Sequence, residues 1–332
     1  MIKSLVTGGA GFIGSHVADE LLATGHEVVV LDDLSGGFGD NVPAEATFVE
    51  GSVLDHELID QLFARHHFDY VYHLAAYAAE GLSHFIKRYN YSNNLIGSTN
   101  LINAAVNSGS VRCFVFTSSI AVYGHGPLPL TEEQTPHPVD PYGIAKYAVE
   151  MDLQEARDMF GLDFVIFRPH NVYGERQNIG DRYRNVIGIF MNQLLRGEPL
   201  TIFGDGEQTR AFSHIADVAP TIARCVERPA AFNQVYNVGA DEPYSVNRLA
   251  RCVASAMGAT EPRIVHLPAR NEVVDAYSTH DRARSMFADL VPGVSLDEGL
   301  RRMTAWVRRA GARTTRPFAN VEVRKNLPAS WA

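Results

Sequence analysis

The sequence predicts an α/β protein, a Rossmann-type doubly wound parallel sheet with a smaller, interleaved α/β lobe. Two observations lead there. Short runs rich in Val, Ile, Phe and Tyr alternate with longer amphipathic stretches, and a glycine cluster stands at the first junction between them. Strands joined through helices run parallel, and a parallel sheet must be covered on both faces.

Along the chain, residues 2–7, 28–32, 70–74, 113–118 and 164–168 read as buried strands. Residues 12–23 and 142–160 read as crossover helices. After Asn171 the rhythm changes to a helix at 185–196, a strand at 200–203 and a glycine turn at 204–206. Residues 235–238 read as one more sheet strand, so the two units interleave. We expect residues 1–170 with about 213–240 to form the larger domain. About 171–212 with 241–316 would form the lobe, and 317–332 a surface tail.

Composition sets the outer limits. The 332 residues suffice for one large or two small domains, and 46% hydrophobic residues exclude a disordered chain. A net charge of −9 without a basic block argues against a nucleic-acid partner. No apolar run approaches the roughly 20 residues of a membrane span, and the apolar part of Met1 to Thr7 is too short for a signal peptide. Cys113, Cys225 and Cys252 are widely spaced and odd in number, which fits neither a disulfide framework nor a zinc pattern. His73, His170 and His214 do not pair at ligand spacing, so no metal is expected. A soluble protein of a reducing cytoplasm is the expectation.

Gly8, Gly9, Gly11 and Gly14 lie directly after the first strand and open the first helix with Phe12 and Ile13. Glycines there allow a tight turn and let backbone amides reach a pyrophosphate at the positive end of a helix. Asp32 ends the second strand, where a carboxylate can accept from ribose hydroxyls and would repel a 2′-phosphate; Asp33 is the alternative. The expected cofactor is therefore NAD rather than NADP. Tyr142 and Lys146 are four residues apart, hence on one helical face, with Pro141 suited to the first turn. A nearby ammonium favours the phenolate of a tyrosine that would otherwise be a poor base. Ser118 and Ser119 follow the fourth strand at the sheet edge where ligands of such folds bind.

Taken in order, Thr7 with Gly-x-x-Gly-x-x-Gly, Ser119 four residues before Tyr123, and Tyr142-x-x-x-Lys146 resemble the extended short-chain dehydrogenase/reductase family acting on nucleotide sugars. The resemblance spans at least residues 1–280 and implies roles position by position. Tyr142 and Lys146 would be catalytic with Ser119, and Ser118 is the neighbouring candidate for the bridging hydroxyl. The cofactor would meet Gly8, Gly11, Phe12, Ile13, Gly14, Asp32, Asp33, Val53, Leu74, Ala75, Ala76, Asn94, Ser118, Tyr142 and Lys146. Ser52 would join them, in place of the usual acidic residue beside adenine, and Ala78 replaces a lysine that often reaches the NAD phosphates. On the substrate side, Ser119 and Tyr142 would meet the sugar and Asn171 the diphosphate. Asn185 and Val186 would open a phosphate-receiving helix, and Thr201, Ile202 and Phe203 would hold uracil. Arg210 and Arg270 would supply guanidinium groups, Arg270 one residue later than the family arginine.

Departures from the family point to one reaction. Dehydratases carry an Asp-Glu pair after the active-site hydroxyl, and decarboxylases a glutamate two residues before the motif tyrosine; here stand Ile120 and Ala121. With no second acid or base beside Ser119, the chain resembles the UDP-sugar 4-epimerases, most of all those of the UDP-glucose/UDP-galactose type. These oxidise and re-reduce one carbon through a transient 4-keto sugar, with NAD tightly held. A dehydratase, decarboxylase or reductase, or a non-catalytic NAD-sensing protein, is the alternative, and Glu80 is the acid that could supply a different chemistry. Ala276 aligns with the bulky gate of the sugar pocket, leaving room for N-acetyl or carboxylate substituents, so UDP-N-acetylglucosamine and UDP-glucuronate stay open beside UDP-glucose. The resemblance also implies a homodimer through helices at 95–106 and 147–160.

Overall fold

β-Branched and aromatic side chains pack well on a pleated surface, and the first such run forms β1 (Lys3–Thr7). The computed structural model describes residues 1–270, 273–315, 318–328 and 331. After β1 come α1 (Phe12–Ala23), β2 (Glu27–Asp32), β3 (Thr47–Glu50), α2 (His56–His66) and β4 (Tyr70–His73). Then follow α3 (Glu80–Ser83), α4 (Lys87–Tyr91), α5 (Gly97–Ser108), β5 (Cys113–Thr117), α6 (Pro141–Phe160) and β6 (Phe164–Pro169). The second half adds β7 (Val172–Tyr173), α7 (Val186–Leu195), β8 (Leu200–Phe203), β9 (Thr209–Ala211), β10 (Ser213–His214) and α8 (Ile215–Arg224). It ends with β11 (Gln234–Val238), β12 (Pro243–Ser245), α9 (Val246–Ala256), β13 (Ile264–Leu267), β14 (Asp275–Ala276), α10 (Asp281–Phe287) and α11 (Leu296–Ala310).

Seven strands make one parallel sheet in the order β3-β2-β1-β4-β5-β6-β11. Val6 lies between Val30 and Tyr72 in register. Strand order reverses between β1 and β4, and a crevice opens at the carboxyl ends there. α1 and α8 cover one face through Val17, Leu21, Val218 and Ile222; α2, α5 and α6 cover the other through Ile59, Leu101, Val149 and Leu153. Leu153 is fully buried, so cutting it to alanine would cost about 2–5 kcal/mol.

The doubly wound fold is as expected, and the strands predicted from sequence end within a residue or two of those observed. α6 begins at Pro141, where the missing N–H costs no helical bond, and the Asp140 carboxylate caps it by accepting from the Gly143 amide at 2.9 Å. β3 was not anticipated. It is an edge strand whose side chains are largely exposed, and it has no apolar alternation to reveal it. The smaller lobe packs α7, α9 and α11 around Phe190, Met191, Leu249 and Met303, with β8 and β13 paired in parallel beside them.

The C-terminal stretch departs from the surface tail expected. Phe318 packs edge-on against Tyr89 at 4.8 Å, and Trp331 is buried against Leu82 and Ile86. Glu322 accepts from the Arg88 and Tyr89 amides at 2.9 and 3.0 Å. Two aromatic residues in this stretch provide enough apolar surface to dock it; residues 317, 329, 330 and 332 lie outside the described residues. Among the described residues, no helix is long and apolar enough to cross a membrane.

Candidate active site

A single cleft of about 1280 Å³ runs along the carboxyl ends of the sheet and on into the smaller lobe. It exceeds the roughly 300–1,000 Å³ usual for one small ligand, as room for two would require. The glycine turn forms its floor. Gly8 has φ +72°, and a Cβ there would stand 2.7 Å from the Ala75 nitrogen; a Cβ on Gly14 would stand 2.2 Å from the Gly8 carbonyl oxygen. Only bare backbone lets β1, α1 and the segment after β4 meet this closely. The resulting cradle of main-chain amides fits a dinucleotide pyrophosphate.

Asp32 stands at the cradle's edge. Its carboxylate accepts from the Ala10 and Leu34 amides at 3.0 and 2.8 Å and keeps lone pairs for further donors. Burial pushes its pKa up, against those amide bonds. Asp33 is exposed, and its carboxylate accepts from the Ser35 amide. An anionic Asp32 at that edge suits ribose hydroxyls and opposes a phosphate, so the residues present fit NAD.

Across the cleft, α6 presents Tyr142 and Lys146 one turn apart. Tyr142 is 5% exposed, with Ser119 close enough to favour its phenolate. The Ser119 hydroxyl also accepts from the Ala121 amide at 3.1 Å. Ser118 turns elsewhere, donating to Glu150 at 2.5 Å within a buried network in which Glu150 pairs with Arg168. The Lys146 ammonium donates to the Thr117 carbonyl at 2.8 Å, lies 4.6 Å from the Phe116 ring centre and 5.9 Å from that of Tyr142. Burial lowers the Lys146 pKa to about 7, opposed by Glu150. Burial, then the charge of Glu80, raises Tyr142 above its ordinary value, opposed by Ser119. By itself, then, the protein holds Tyr142 as a neutral phenol.

A chain of amide bonds fixes this helix end. Asn94, in a π-helical turn (Ser92–Ile96), accepts from the Tyr77 amide at 2.8 Å and donates to Asn90, whose own amide donates to the Pro141 carbonyl at 2.9 Å. Asn94 thus holds the segment after β4 in step with α6 and does not reach the cleft wall. Ser52 does not reach it either; its hydroxyl accepts from the Leu54 amide. Every other residue anticipated for cofactor or substrate lines the cleft, including Val53, Leu74, Ala75 and Ala76 beside the glycine turn.

On the far wall, Asn171 and Asn185 adopt left-handed backbone at φ +39° and +68°, which asparagine tolerates better than most residues. Asn185 precedes α7, so Val186 and its neighbours offer free helix amides to the cleft. Thr201, Ile202 and Phe203 come from β8, and the Thr201 hydroxyl accepts from Gln193 at 2.8 Å. Arg210 donates to the carbonyls of Thr209, Val273 and Val274, bracing the strand that bears Ala276. Arg270 stacks on Phe203, 3.2 Å from the ring centre. Sequence reasoning missed Arg184, which lines the cleft, lies over the Tyr77 ring and pairs with Asp181 at 2.8 Å. It also missed Trp331 and Lys325 of the C-terminal stretch. The basic-aromatic run Arg182-Tyr183-Arg184 just before Asn185 was the available signal. Among the described residues, no group of three or more His, Cys, Asp or Glu is placed to hold a metal.

Residues 4–239 match the model of the NAD dependent epimerase/dehydratase family. The chain belongs to that family. Among its members, the UDP-glucose 4-epimerase of Mycolicibacterium smegmatis is 35% identical over 92% of this chain and 99% of its own length. The crystal structure of the Thermotoga maritima UDP-glucose 4-epimerase with UDP-glucose superposes with a TM-score of 0.88 at 35% identity, covering 93% of this chain and 99% of that one. A UDP-N-acetyl-alpha-D-glucosaminuronate decarboxylase of Bacillus cytotoxicus is 29% identical over 92% of this chain and 98% of its own. The family thus contains more than one chemistry on UDP-sugars, and the residues around Tyr142 must distinguish them.

Proposed function

We propose that this member is an NAD-dependent UDP-sugar 4-epimerase that inverts C4 of a UDP-hexose through a transient 4-keto sugar. The observation that carries the reading is Tyr142 beside Ser119, with Lys146 behind it and only Ile120 and Ala121 following that serine. A decarboxylase needs an acid at the position of Ala121, whose amide here merely ties down Ser119.

When bound in the cradle, NAD supplies the hydride acceptor and donor for C4 and a positive ring that favours the phenolate. Tyr142 takes the proton from the C4 hydroxyl and later returns it. Ser119 holds that oxygen in line with the phenol, and the Lys146 ammonium stabilises the phenolate. Asn171, the amides opening α7 and the guanidinium groups of Arg210 and Arg270 grip the diphosphate, while β8 holds the uracil. Firm grip on the nucleotide with a loose fit to the hexose lets the keto sugar present its other face. In this reading residues 1–170 with about 213–240 hold the cofactor, and about 171–212 with 241–316 hold the UDP-sugar. The half-buried Ala276 admits a hexose carrying an N-acetyl or carboxylate group as well as glucose. The protein works as a homodimer through α5 and α6, and its three free thiols suit a reducing cytoplasm.

Incubation with UDP-glucose, UDP-galactose, UDP-N-acetylglucosamine and UDP-glucuronate, followed by NMR, tests this. A mixture of C4 epimers should form from at least one of them, with no net NADH. Tyr142→Phe should lower that turnover by about 10²–10⁴-fold while leaving NAD affinity unchanged. Release of water or carbon dioxide, or a steady rise in NADH, would refute the reading.

A further inference from the structure

We propose that the C-terminal stretch forms the outer wall of the hexose subsite and that Trp331 is a specificity-determining residue there. This rests on the cleft's being a UDP-hexose site. The indole bridges the two sides of the cleft. On one side it lies against α3, where a Cβ on Gly81 would stand 3.0 Å from the ring, and meets Phe85 edge-on at 6.2 Å. The preceding residue, Glu80, lines the cleft together with Tyr142 and influences its proton affinity. On the other side the Arg270 guanidinium sits 4.5 Å from the indole centre, so that this arginine is stacked between Trp331 and Phe203. Tyr183 closes the third side, edge-on at 5.4 Å. A single ring therefore spans from beside the proposed base to the proposed diphosphate and uracil anchors, the interval a hexose must occupy.

The stretch is fastened at several points. Glu322 and Val323 donate their amides to the Phe85 carbonyl at 2.8 and 3.1 Å, and the Glu322 carboxylate caps the start of α4. The Phe318 amide donates to the Tyr183 hydroxyl at 3.1 Å. A segment held by this many contacts has lost freedom that those contacts must offset. With the indole only 5% exposed and Arg270 held over it, the wall acts by shape: its position limits how far a keto sugar can turn and which substituents it can carry. Lys325, from the same stretch, adds a cation to the cleft lining.

Calorimetric titration of the NAD-loaded protein with UDP and with UDP-glucose tests the proposal. It compares the natural chain, Trp331→Ala, Trp331→Phe, and a chain ending after Arg324 that keeps the Phe318 and Glu322 fastenings. Trp331→Ala and the shortened chain should lose at least tenfold in affinity for UDP-glucose and less than threefold for UDP, and Trp331→Phe should recover most of the loss. A loss shared equally by the two ligands, or no loss with either, overturns the proposal. Binding of UDP-glucose without epimerisation would sink the proposed reaction alone, whereas a natural chain that binds neither ligand would sink both.

Discussion

Lys146 keeps its ammonium at 2% exposure with a carbonyl and two aromatic rings around it. Desolvation brings its pKa to about 7, and a forming phenolate on Tyr142 would hold it charged. Lys146→Met keeps the bulk and removes the cation, so kcat should fall by about 10²-fold or more. The tyrosine must be deprotonated to act as base, and burial and Glu80 already hold its pKa high. Loss of the neighbouring positive charge raises it further, so the acid limb of the kcat–pH profile should move to higher pH. A fall in kcat with that limb unmoved would show that Lys146 acts some other way. The Tyr–Lys pair was legible in the sequence because four-residue spacing on a helix fixes a shared face. Which serine stands by Tyr142 was not legible in the spacing; the family resemblance favoured Ser119, and folding separates the two by the partners it gives them. Glu150 claims Ser118 and leaves Ser119 beside the phenol.

At the scale of the element, α6 does two jobs. Its inner face anchors Tyr142 and Lys146 through Val149 and Leu153, while Ile144, Met151 and Met159 stand 44%, 52% and 71% exposed. At about 100° per residue these three fall within an arc of about 80°, an apolar stripe interrupted by the exposed Glu155. Ile96, just before α5, is 52% exposed as well. Stripes of this kind mark association, and a second copy of the same face would cover this one. Met151→Arg should convert a dimer to a monomer in light scattering, with the thermal midpoint falling as the buried face is lost. An unchanged mass would mean that this face is not the contact of the proposed dimer. Long periodic elements such as α1 and α6 could be read from the chain because one amphipathic face declares itself over many residues. The three-stranded β12-β9-β14 patch could not: its strands are two or three residues long and exist because distant segments pair. The docking of the C-terminal stretch was hidden for a related reason, since its partners on α3 and α4 are far away in sequence.

Over the whole molecule, acid is the condition the fold is least suited to meet. His73, fully buried at the end of β4, bonds to Thr7 at 2.7 Å and Ser98 at 2.8 Å, and burial holds its pKa well below the ordinary value. His170, where the chain leaves the sheet for the smaller lobe, faces His280 at 3.0 Å and the Ala211 carbonyl at 3.2 Å; burial and then His280 push it down to about 3. Both imidazoles are neutral in the fold and titrate near 6.5 once unfolded, so the unfolded chain binds protons the native one refuses. The stability they contribute is present above pH 6.5 and is lost progressively below it. Between pH 7 and 5.5 each should cost about 1.3 kcal/mol. Asp32 and Asp140, held above the usual carboxylate range by burial, work in the opposite direction and reduce the net slope. Comparison with a variant removes that offset. Urea unfolding at pH 7 and 5.5 should show His170→Phe losing about 1.3 kcal/mol less than the natural chain over that interval. Equal losses would mean that His170 takes up its proton in the folded protein as readily as in the unfolded chain, and that burial does not hold this imidazole neutral.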